Sequence, residues 1–157
     1  GILEVEHVPL ACPEFRDDDV GEIARGKAEF AYAALKRPLI VDDTAFYVHA
    51  LKGFPGPYAA YVLSTLGKEG ILKLMEGVED RSAHFETAIA FADADGVRIF
   101  RGTIEGEIVS PRGSGGFGYD PIFEWMGKTL AEIPLAEKSR ISHRGRALAV
   151  FRDWLTE

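Results

Sequence analysis

Two adjacent carboxylates, Asp42 and Asp43, follow the short apolar run of residues 38–41. The carboxyl end of a buried strand is where α/β folds place ligands. Neighbouring residues of an extended chain point to opposite sides, so at most one of the two acids faces such a cleft. That acid is a candidate magnesium ligand, or a base that activates water. The alternative is a turn cap in which the side chain bonds to the nearby backbone.

A lysine lies on the inward face of a predicted helix over residues 19–35. At helical spacing, Lys27 falls near the middle of the apolar stripe made by Val20, Ala24, Ala31 and Ala34. A cation at the centre of a buried face is costly unless a partner satisfies it. Two interpretations stay open: a snorkelling or ion-paired lysine, and a cation directed into a cleft toward a phosphate.

A basic cluster occupies residues 138–144 and contains Lys138, His143 and Arg144. Ser142 is a natural helix N-cap, which puts His143 and Arg144 in the first turn of the last helix. Cations at a helix N-terminus oppose the helix dipole. They are favourable if an anion binds there to the free N–H groups and the cations together. The alternative is a basic loop without a ligand.

A glycine-rich segment with aromatic residues spans residues 113–120. Its glycines allow the backbone to approach a ligand closely, and Phe117 and Tyr119 offer faces on which a base can stack. It lacks the Gly-Lys-Ser/Thr ending of a Walker loop, and a flexible hairpin connection is the alternative. Acids, two basic elements and this loop together suit a site for a magnesium–nucleotide complex.

The elements that must position these residues alternate between strand and helix patterns. Strands are predicted at residues 2–8, 38–41, 83–92 and 97–108, with residues 119–123 extended. Helices are predicted at residues 19–35, 59–66, 69–76 and 129–133, and from Ser142 onward. The Asp95-Gly96 pair predicts a hairpin turn. The fold class is therefore α/β, or α+β, with a mixed sheet.

Composition limits the classes of function. The chain has 157 residues, 46% of them hydrophobic, and a net charge of −7, which predicts one soluble domain over residues 1–157. Net acidity argues against nucleic acid as a partner, and no apolar run is long enough to cross a membrane. The single cysteine, Cys12, fits a reducing compartment, so a cytoplasmic location is expected.

Four stretches together resemble the inosine triphosphatase family, the nucleoside-triphosphate pyrophosphatases that remove deaminated purine nucleotides. They are residues 38–44 (Pro-Leu-Ile-Val-Asp-Asp-Thr), 50–58 (Ala-Leu-Lys-Gly-Phe-Pro-Gly-Pro-Tyr), 115–123 (Gly-Gly-Phe-Gly-Tyr-Asp-Pro-Ile-Phe) and 137–144 (Glu-Lys-Ser-Arg-Ile-Ser-His-Arg). Their order and spacing also match, and the similarity covers essentially the whole chain. The Gly-Phe-Gly-Tyr-Asp-Pro segment is the most specific of them.

The resemblance implies roles for particular residues. Asp43 is then a metal ligand and proton acceptor, and Glu14, which its local sequence leaves as solvated surface, is a second metal carboxylate. Lys27 reaches the phosphates as a catalytic residue. The implied substrate-binding residues are Thr44, Phe117, Gly118, Tyr119, Asp120, Lys138, His143 and Arg144.

The resemblance also implies a fold and a reaction. The fold is a mixed twisted sheet flanked by helices, forming two lobes around a nucleotide cleft. The reaction is Mg²⁺-dependent, with Mn²⁺ as a substitute, and converts ITP, dITP or XTP to the monophosphate and pyrophosphate. A homodimer is expected.

Two features of the sequence depart from the family pattern. Ala45 stands where the family usually has Gly, so a turn there would be strained if it needs positive φ. The family's opening strand and its Ser/Thr-x-Asn-x-x-Lys phosphate loop have no counterpart in this sequence. We therefore expect an N-terminally incomplete domain, and a nucleotide-binding domain with little catalysis is the alternative function.

Overall fold

The computed structural model describes residues 5–13 and 15–157. Five α-helices are present in these ranges: α1 (Val20–Leu35), α2 (Ala59–Thr65), α3 (Gly67–Leu74), α4 (Leu135–Ile141) and α5 (His143–Leu155). Six strands accompany them: β1 (Leu39–Val48), β2 (Pro55–Gly56), β3 (Ser82–Asp93), β4 (Gly96–Ile108), β5 (Phe123–Trp125) and β6 (Lys128–Thr129). No helix in the described ranges is long and apolar enough to cross a membrane.

The six strands form one sheet in the order β2-β1-β3-β4-β5-β6. Every pairing in the described chain is antiparallel, whereas the sequence analysis expected a mixed sheet. The two longest strands, β3 and β4, are joined by the predicted tight turn, which can only produce an antiparallel pair. The α/β class itself, a sheet flanked by helices, is confirmed.

Helices cover both faces of the sheet. On one face α1 packs its small residues Val20, Ala24 and Ala28 against alanines of β1 and β3. Alanine side chains on both surfaces allow the helix to lie close to the sheet. On the other face α5 contacts β4 and β3, and Phe100, Phe151 and neighbouring aromatic rings fill the space between them.

The largest core lies beyond α5 on that second face. Phe46 is fully buried and stacks on Phe85 and Tyr119, with ring centroids 4.4 and 4.7 Å away. Phe123 meets Phe85 edge-on at 4.8 Å. Each fully buried ring of this kind contributes about 1.5–3 kcal/mol by leaving water. This aromatic cluster makes the floor on which the candidate site rests.

Helix α1 begins as predicted. Asp19 is its N-cap, and the Asp19 carboxylate accepts a hydrogen bond from the backbone N–H of Gly21 at 2.9 Å. The same carboxylate receives both terminal nitrogens of Arg101 from β4, at 2.6 and 3.0 Å. The Arg101 bonds are the main cause of the lowered pKa of Asp19. The cap therefore ties the helix to the sheet as well as starting it.

Several predicted boundaries are wrong. Strand β1 does not end at the two acids but continues to Val48, because β3 offers a continuous ladder of partners from Ala83 to Ala92. Ala45 is a strand residue opposite Glu86 and does not have positive φ, so the expected turn strain does not exist. The strand predicted at residues 2–8 is absent over residues 5–8, and residues 2–4 lie outside the described residues. Residues 119–123 contain a 3₁₀ turn before β5. Helix α4 was not predicted.

Candidate functional site

A cleft of about 400 Å³ opens on the α5 side of β1. It brings together every residue predicted to bind substrate: Thr44, Phe117, Gly118, Tyr119, Asp120, Lys138, His143 and Arg144. Its walls also include apolar side chains from α2, β3, α4 and α5, namely Ala59, Ala60, Leu63, Phe85, Leu135 and Leu148. The cleft thus combines an apolar wall with polar groups that converge from separate parts of the chain, as ligand sites usually do.

A tight corner between α4 and α5 brings the basic cluster to the cleft. Ser142 ends α4 and caps α5, and its hydroxyl accepts a hydrogen bond from the backbone N–H of Gly145 at 3.1 Å. A Cβ on Gly145 would lie 2.1 Å from the carbonyl oxygen of Ser139, so the corner requires glycine. The predicted start of the last helix at Ser142 is confirmed.

Lys138 is buried and paired with Asp120. Their ion pair leaves only 10% of the lysine side chain and 7% of the aspartate side chain exposed. The Asp120 carboxylate also accepts the backbone N–H of Phe117 at 3.0 Å. The Lys138 ammonium lies 4.6 Å from the centre of the Phe117 ring. Lys138 therefore anchors the glycine-rich loop while it lines the cleft.

His143 is neutral, whereas its place in the basic cluster predicted a cation. Burial, with the positive charges of Arg144 and Lys138, lowers the pKa of His143 to about 4. Its ring stacks on Phe85, with centroids 4.8 Å apart and planes 14° from parallel. Its Nδ1 atom is buried and has no hydrogen-bond partner among the described residues. An uncharged imidazole with an unused ring nitrogen is suited to pair with a polar ligand atom.

The two acids of β1 lie on opposite faces of the sheet, as their adjacency predicted. Asp42 makes a loose pair with the exposed Arg144 at 3.6 Å. Asp43 points to the α1 face, where its Oδ2 atom accepts the Lys27 ammonium at 2.9 Å. Its Oδ1 atom accepts the backbone N–H of Thr44 at 3.0 Å. Lys27 and Asp43 thus meet across 16 positions of sequence, and both stay partly exposed.

Thr44 links these two groups because it follows Asp43 directly and turns into the cleft. Its hydroxyl is hydrogen-bonded to the hydroxyl of Thr87 at 2.9 Å, and Thr87 is fully buried. Neither Thr87 nor Phe85 was predicted to belong to the site. Their alternating positions in β3 were the available signal, because they share one face of the predicted strand.

Glu14, the second predicted metal carboxylate, lies outside the described residues. In the part of the chain that is described, no group of three or more His, Cys, Asp or Glu side chains is close enough to hold a metal. Among the described residues, Asp43 offers carboxylate oxygens beside Lys27, in the expected place. Mg²⁺ is commonly held by one or two carboxylates, with substrate phosphates and water completing its shell. The donor set at Asp43 is therefore compatible with Mg²⁺.

Comparisons with known proteins agree with this architecture. The sheet with helices on both faces and its polar-edged cleft define an α/β domain built around a ligand site. The chain belongs to the Ham1 family, whose model matches residues 2–154. This match confirms the resemblance found in the sequence.

This chain covers most of the length of the relatives and of the solved structure that it matches. A dITP/XTP pyrophosphatase of Thermococcus kodakarensis is 47% identical over 99% of this chain and 85% of its own. The dITP/XTP pyrophosphatase of Saccharolobus solfataricus is 48% identical over 98% of this chain and 81% of its own length. The solved Ham1 protein of Staphylococcus aureus superposes with a TM-score of 0.88, at 33% identity, over 94% of this chain and 81% of its own.

Proposed function

We propose that this protein is a nucleoside-triphosphate pyrophosphohydrolase that acts on the deaminated purine nucleotides ITP, dITP and XTP. It releases the nucleoside monophosphate and pyrophosphate, which removes these nucleotides from the pool. The observation that carries the proposal is the convergence of all the predicted substrate-binding residues on one cleft. Relatives support the proposal as well, because the proteins that match nearly the whole chain are dITP/XTP pyrophosphatases.

Recognition of the base rests on the difference at the purine 6-position. Inosine and xanthosine carry a carbonyl oxygen there, which accepts a hydrogen bond, whereas adenine carries an amino group, which donates. The cleft offers donors in the Lys138 ammonium and the ring N–H of neutral His143. An adenine amino group would leave these donors unpaired, and sites built on hydrogen bonds reject such a base strongly. The exposed Phe117 ring provides a face for the base to stack on.

The phosphate end of the site is assigned to the β1–α1 region. Asp43, with Glu14, would hold Mg²⁺, or Mn²⁺ in its place. The bound metal would neutralise part of the triphosphate charge and stabilise the pyrophosphate leaving group. Lys27 lies beside Asp43 and can donate charge-assisted hydrogen bonds to phosphate oxygens. Asp43 would orient the attacking water and accept its proton.

A cytoplasmic homodimer is part of the same proposal. One cysteine in 157 residues fits a reducing compartment. A two-fold dimer is the commonest assembly of soluble enzymes. Sedimentation velocity should give a single species of twice the 17.2 kDa chain mass, and a monomer at micromolar concentration would contradict this part of the proposal.

The experiment compares ITP, XTP and ATP as substrates in the presence of Mg²⁺, with chromatography to separate pyrophosphate from orthophosphate. We expect pyrophosphate from ITP and XTP, at rates at least about 100-fold above the rate with ATP. Release of orthophosphate, or equal rates on ITP and ATP, would rule the proposal out.

A matched pair of variants tests the assignment of Asp43. Asp43→Asn should lower turnover by about 10²–10⁴-fold, because the amide can neither accept the proton nor hold the metal with full charge. Asp153→Asn is the control, since Asp153 is an exposed aspartate of α5 that does not line the cleft. Equal turnover in the two variants would remove Asp43 from the chemistry.

The alternative is a nucleotide-binding domain with little catalysis. Calorimetry distinguishes it, because tight ITP binding without pyrophosphate release favours binding alone. The names of the relatives disfavour it.

A further inference from the structure

A second polar cluster lies at the far end of β1, apart from the cleft. It contains a chain of hydrogen bonds from Asp80 through Ser82 and His49 to His84. The Ser82 hydroxyl donates to Asp80 Oδ1 at 2.6 Å, and His49 Nδ1 lies 2.8 Å from the same hydroxyl oxygen. His49 Nε2 lies 2.7 Å from His84 Nδ1. The proposed reaction uses none of these residues.

The order of donors in this series of hydrogen bonds selects the tautomer of neutral His49. Ser82 has one hydroxyl proton, and the Asp80 carboxylate, which can only accept, takes it. His49 Nδ1 must therefore donate to Ser82, which leaves the lone pair of neutral His49 on Nε2. That lone pair faces His84. Metal-binding histidines are oriented in the same way, with one ring N–H held by an outer polar group and the other nitrogen free.

The His84 ring is held in place by the sheet, whereas the His49 ring is held by its hydrogen bond to Ser82. His84 is opposite Tyr47 in the β1–β3 ladder, and the two rings stack with centroids 4.7 Å apart. Because the Tyr47 ring covers one face of the imidazole, the nitrogen edge of His84 is left to point toward His49. Glu86 and Glu105 are the nearby acids, and they offset positive charge at His84. Burial and the neighbouring His49 nevertheless lower the pKa of His84, which favours its neutral form.

We propose that His49 and His84 form a two-histidine site for a transition-metal ion of the Zn²⁺ type. The ion would bind His49 Nε2 and His84 Nδ1 in place of the hydrogen bond between them. With tetrahedral geometry and metal–nitrogen bonds of about 2.0–2.1 Å, the two nitrogens need to be about 3.3 Å apart. They are 2.7 Å apart in the hydrogen bond, so the exposed His49 ring has to move outward when the ion binds. The proton leaves His84 Nδ1, and solvent supplies one to its Nε2, so the two rings stay neutral.

This site differs in chemistry from the magnesium site of the proposed function. Imidazole nitrogen suits Zn²⁺, Cu²⁺ and Ni²⁺, whereas Mg²⁺ prefers oxygen ligands. Among the described residues, no third His, Cys, Asp or Glu joins His49 and His84 in a metal-binding group, so water would complete the shell. Binding should therefore persist in excess Mg²⁺ and in the Asp43→Asn variant. Its success or failure is independent of whether the protein hydrolyses ITP.

The test is calorimetric titration of the protein with ZnCl₂ in excess Mg²⁺, so that oxygen sites are already filled. We expect one Zn²⁺ per chain. His49→Asn and His84→Asn should each weaken that binding at least about tenfold. His7→Asn is the matched control, because His7 is an exposed histidine outside the cluster, and its affinity should equal that of the parent chain.

Ser82→Ala tests the orienting chain while both ligands remain. Removing the hydroxyl frees His49 to change tautomer and rotate, so Zn²⁺ affinity should fall about tenfold, within the range for outer-shell partners. Thermal unfolding in chelator shows that each variant is folded before titration. Zn²⁺ affinity that is unchanged in both His49→Asn and His84→Asn would overturn the proposal, as would a parent chain that binds no Zn²⁺.

Discussion

At the level of single side chains, two cations of the candidate site are already paired. Lys138 is held by Asp120 and Lys27 by Asp43. A nucleotide must therefore share the two lysines with these carboxylates or displace the carboxylates. This adds geometric selectivity, because only a ligand with acceptors in the right places replaces the hydrogen bonds that are lost. The net effect is a site whose polarity comes from oriented pairs more than from excess positive charge.

His143 gives the stability of the protein a specific pH dependence. Its pKa is about 4 in the folded protein and 6.5 ordinarily, so below pH 6.5 the unfolded chain binds the proton more readily. The contribution of this histidine is complete above pH 6.5 and declines as the pH falls toward 4. The loss reaches about 3 kcal/mol at the low end. Urea unfolding at pH 7 and pH 4.5 measures it.

The control for this pH effect is His143→Gln, which keeps a polar side chain but does not titrate. Its stability should fall less between the two pH values than that of the parent chain. Other groups, including His84 with its own lowered pKa, contribute equally to both proteins and cancel in the comparison. Identical pH dependence of parent and variant would show that folding does not change the pKa of His143 and would contradict its lowered value.

The buried pair of Lys138 and Asp120 predicts a non-additive result. Lys138→Met leaves the Asp120 carboxylate buried without a counter-charge, so it should cost about 3–5 kcal/mol of unfolding free energy. Adding Asp120→Asn removes that charge and keeps an acceptor for the Phe117 N–H, so the double variant should recover most of the loss. Chemical denaturation of the three variants measures this coupling, and strictly additive losses would contradict it.

At the level of elements, the approach of α5 to β4 depends on Gly102. A Cβ there would lie 2.2 Å from the backbone nitrogen of Ala147 and 2.3 Å from the carbonyl oxygen of His143. Because both contacts are backbone atoms, the helix as a whole would have to move. Gly102→Ala should destabilise the protein by about 2–3 kcal/mol and weaken ITP binding, since His143 shifts with the helix.

Thr103→Ala is the neighbouring control for Gly102→Ala. Its side chain is exposed, so the change should cost less than about 1 kcal/mol. Thermal unfolding and ITP titration of the two variants provide the measurement. If Gly102→Ala matched Thr103→Ala in both, the close packing of α5 on β4 would not be what positions the cleft wall.

Elements with strong local signals were predictable from sequence. Helix α1 has an apolar stripe and an N-cap at Asp19, and the β3–β4 hairpin has alternating residues around a turn signal. In these segments the local preference and the tertiary contacts favour the same structure, which is why the pattern was sufficient.

The wrong predictions concern segments whose secondary structure is set by tertiary contacts. Strand β1 continues through Asp42 and Asp43 because β3 pairs with it along its whole length, and no local pattern reveals that partner. Helix α4 carries mostly polar residues between Leu135 and Ile141, so its apolar period is weak. The pairing of Lys27 with Asp43 links a helix to a strand, and sequence alone left it open between an ion pair and a phosphate contact.

At the scale of the whole molecule, the net charge of −7 opposes the approach of a triphosphate. The cations that counter it are placed locally, with Lys27 beside Asp43 and with Lys138 and Arg144 at the cleft. Because these cations are few, we expect a metal ion to neutralise the remaining phosphate charge. This is the physical reason to expect turnover to depend on Mg²⁺.

Metal removal should therefore separate activity from stability. The fold rests on apolar clusters on both faces of the sheet, and the catalytic metal would bind mainly through Asp43, Glu14 and the phosphates of the substrate. We expect EDTA to abolish ITP hydrolysis and to shift Tm by less than about 2 °C, which for a chain of this size is below about 1 kcal/mol. Enzyme assay and calorimetric melting measure the two effects on one sample. Excess Mg²⁺ should restore turnover in full, whereas a large fall in Tm with EDTA would make the metal part of the fold and contradict its placement at an open, substrate-completed site.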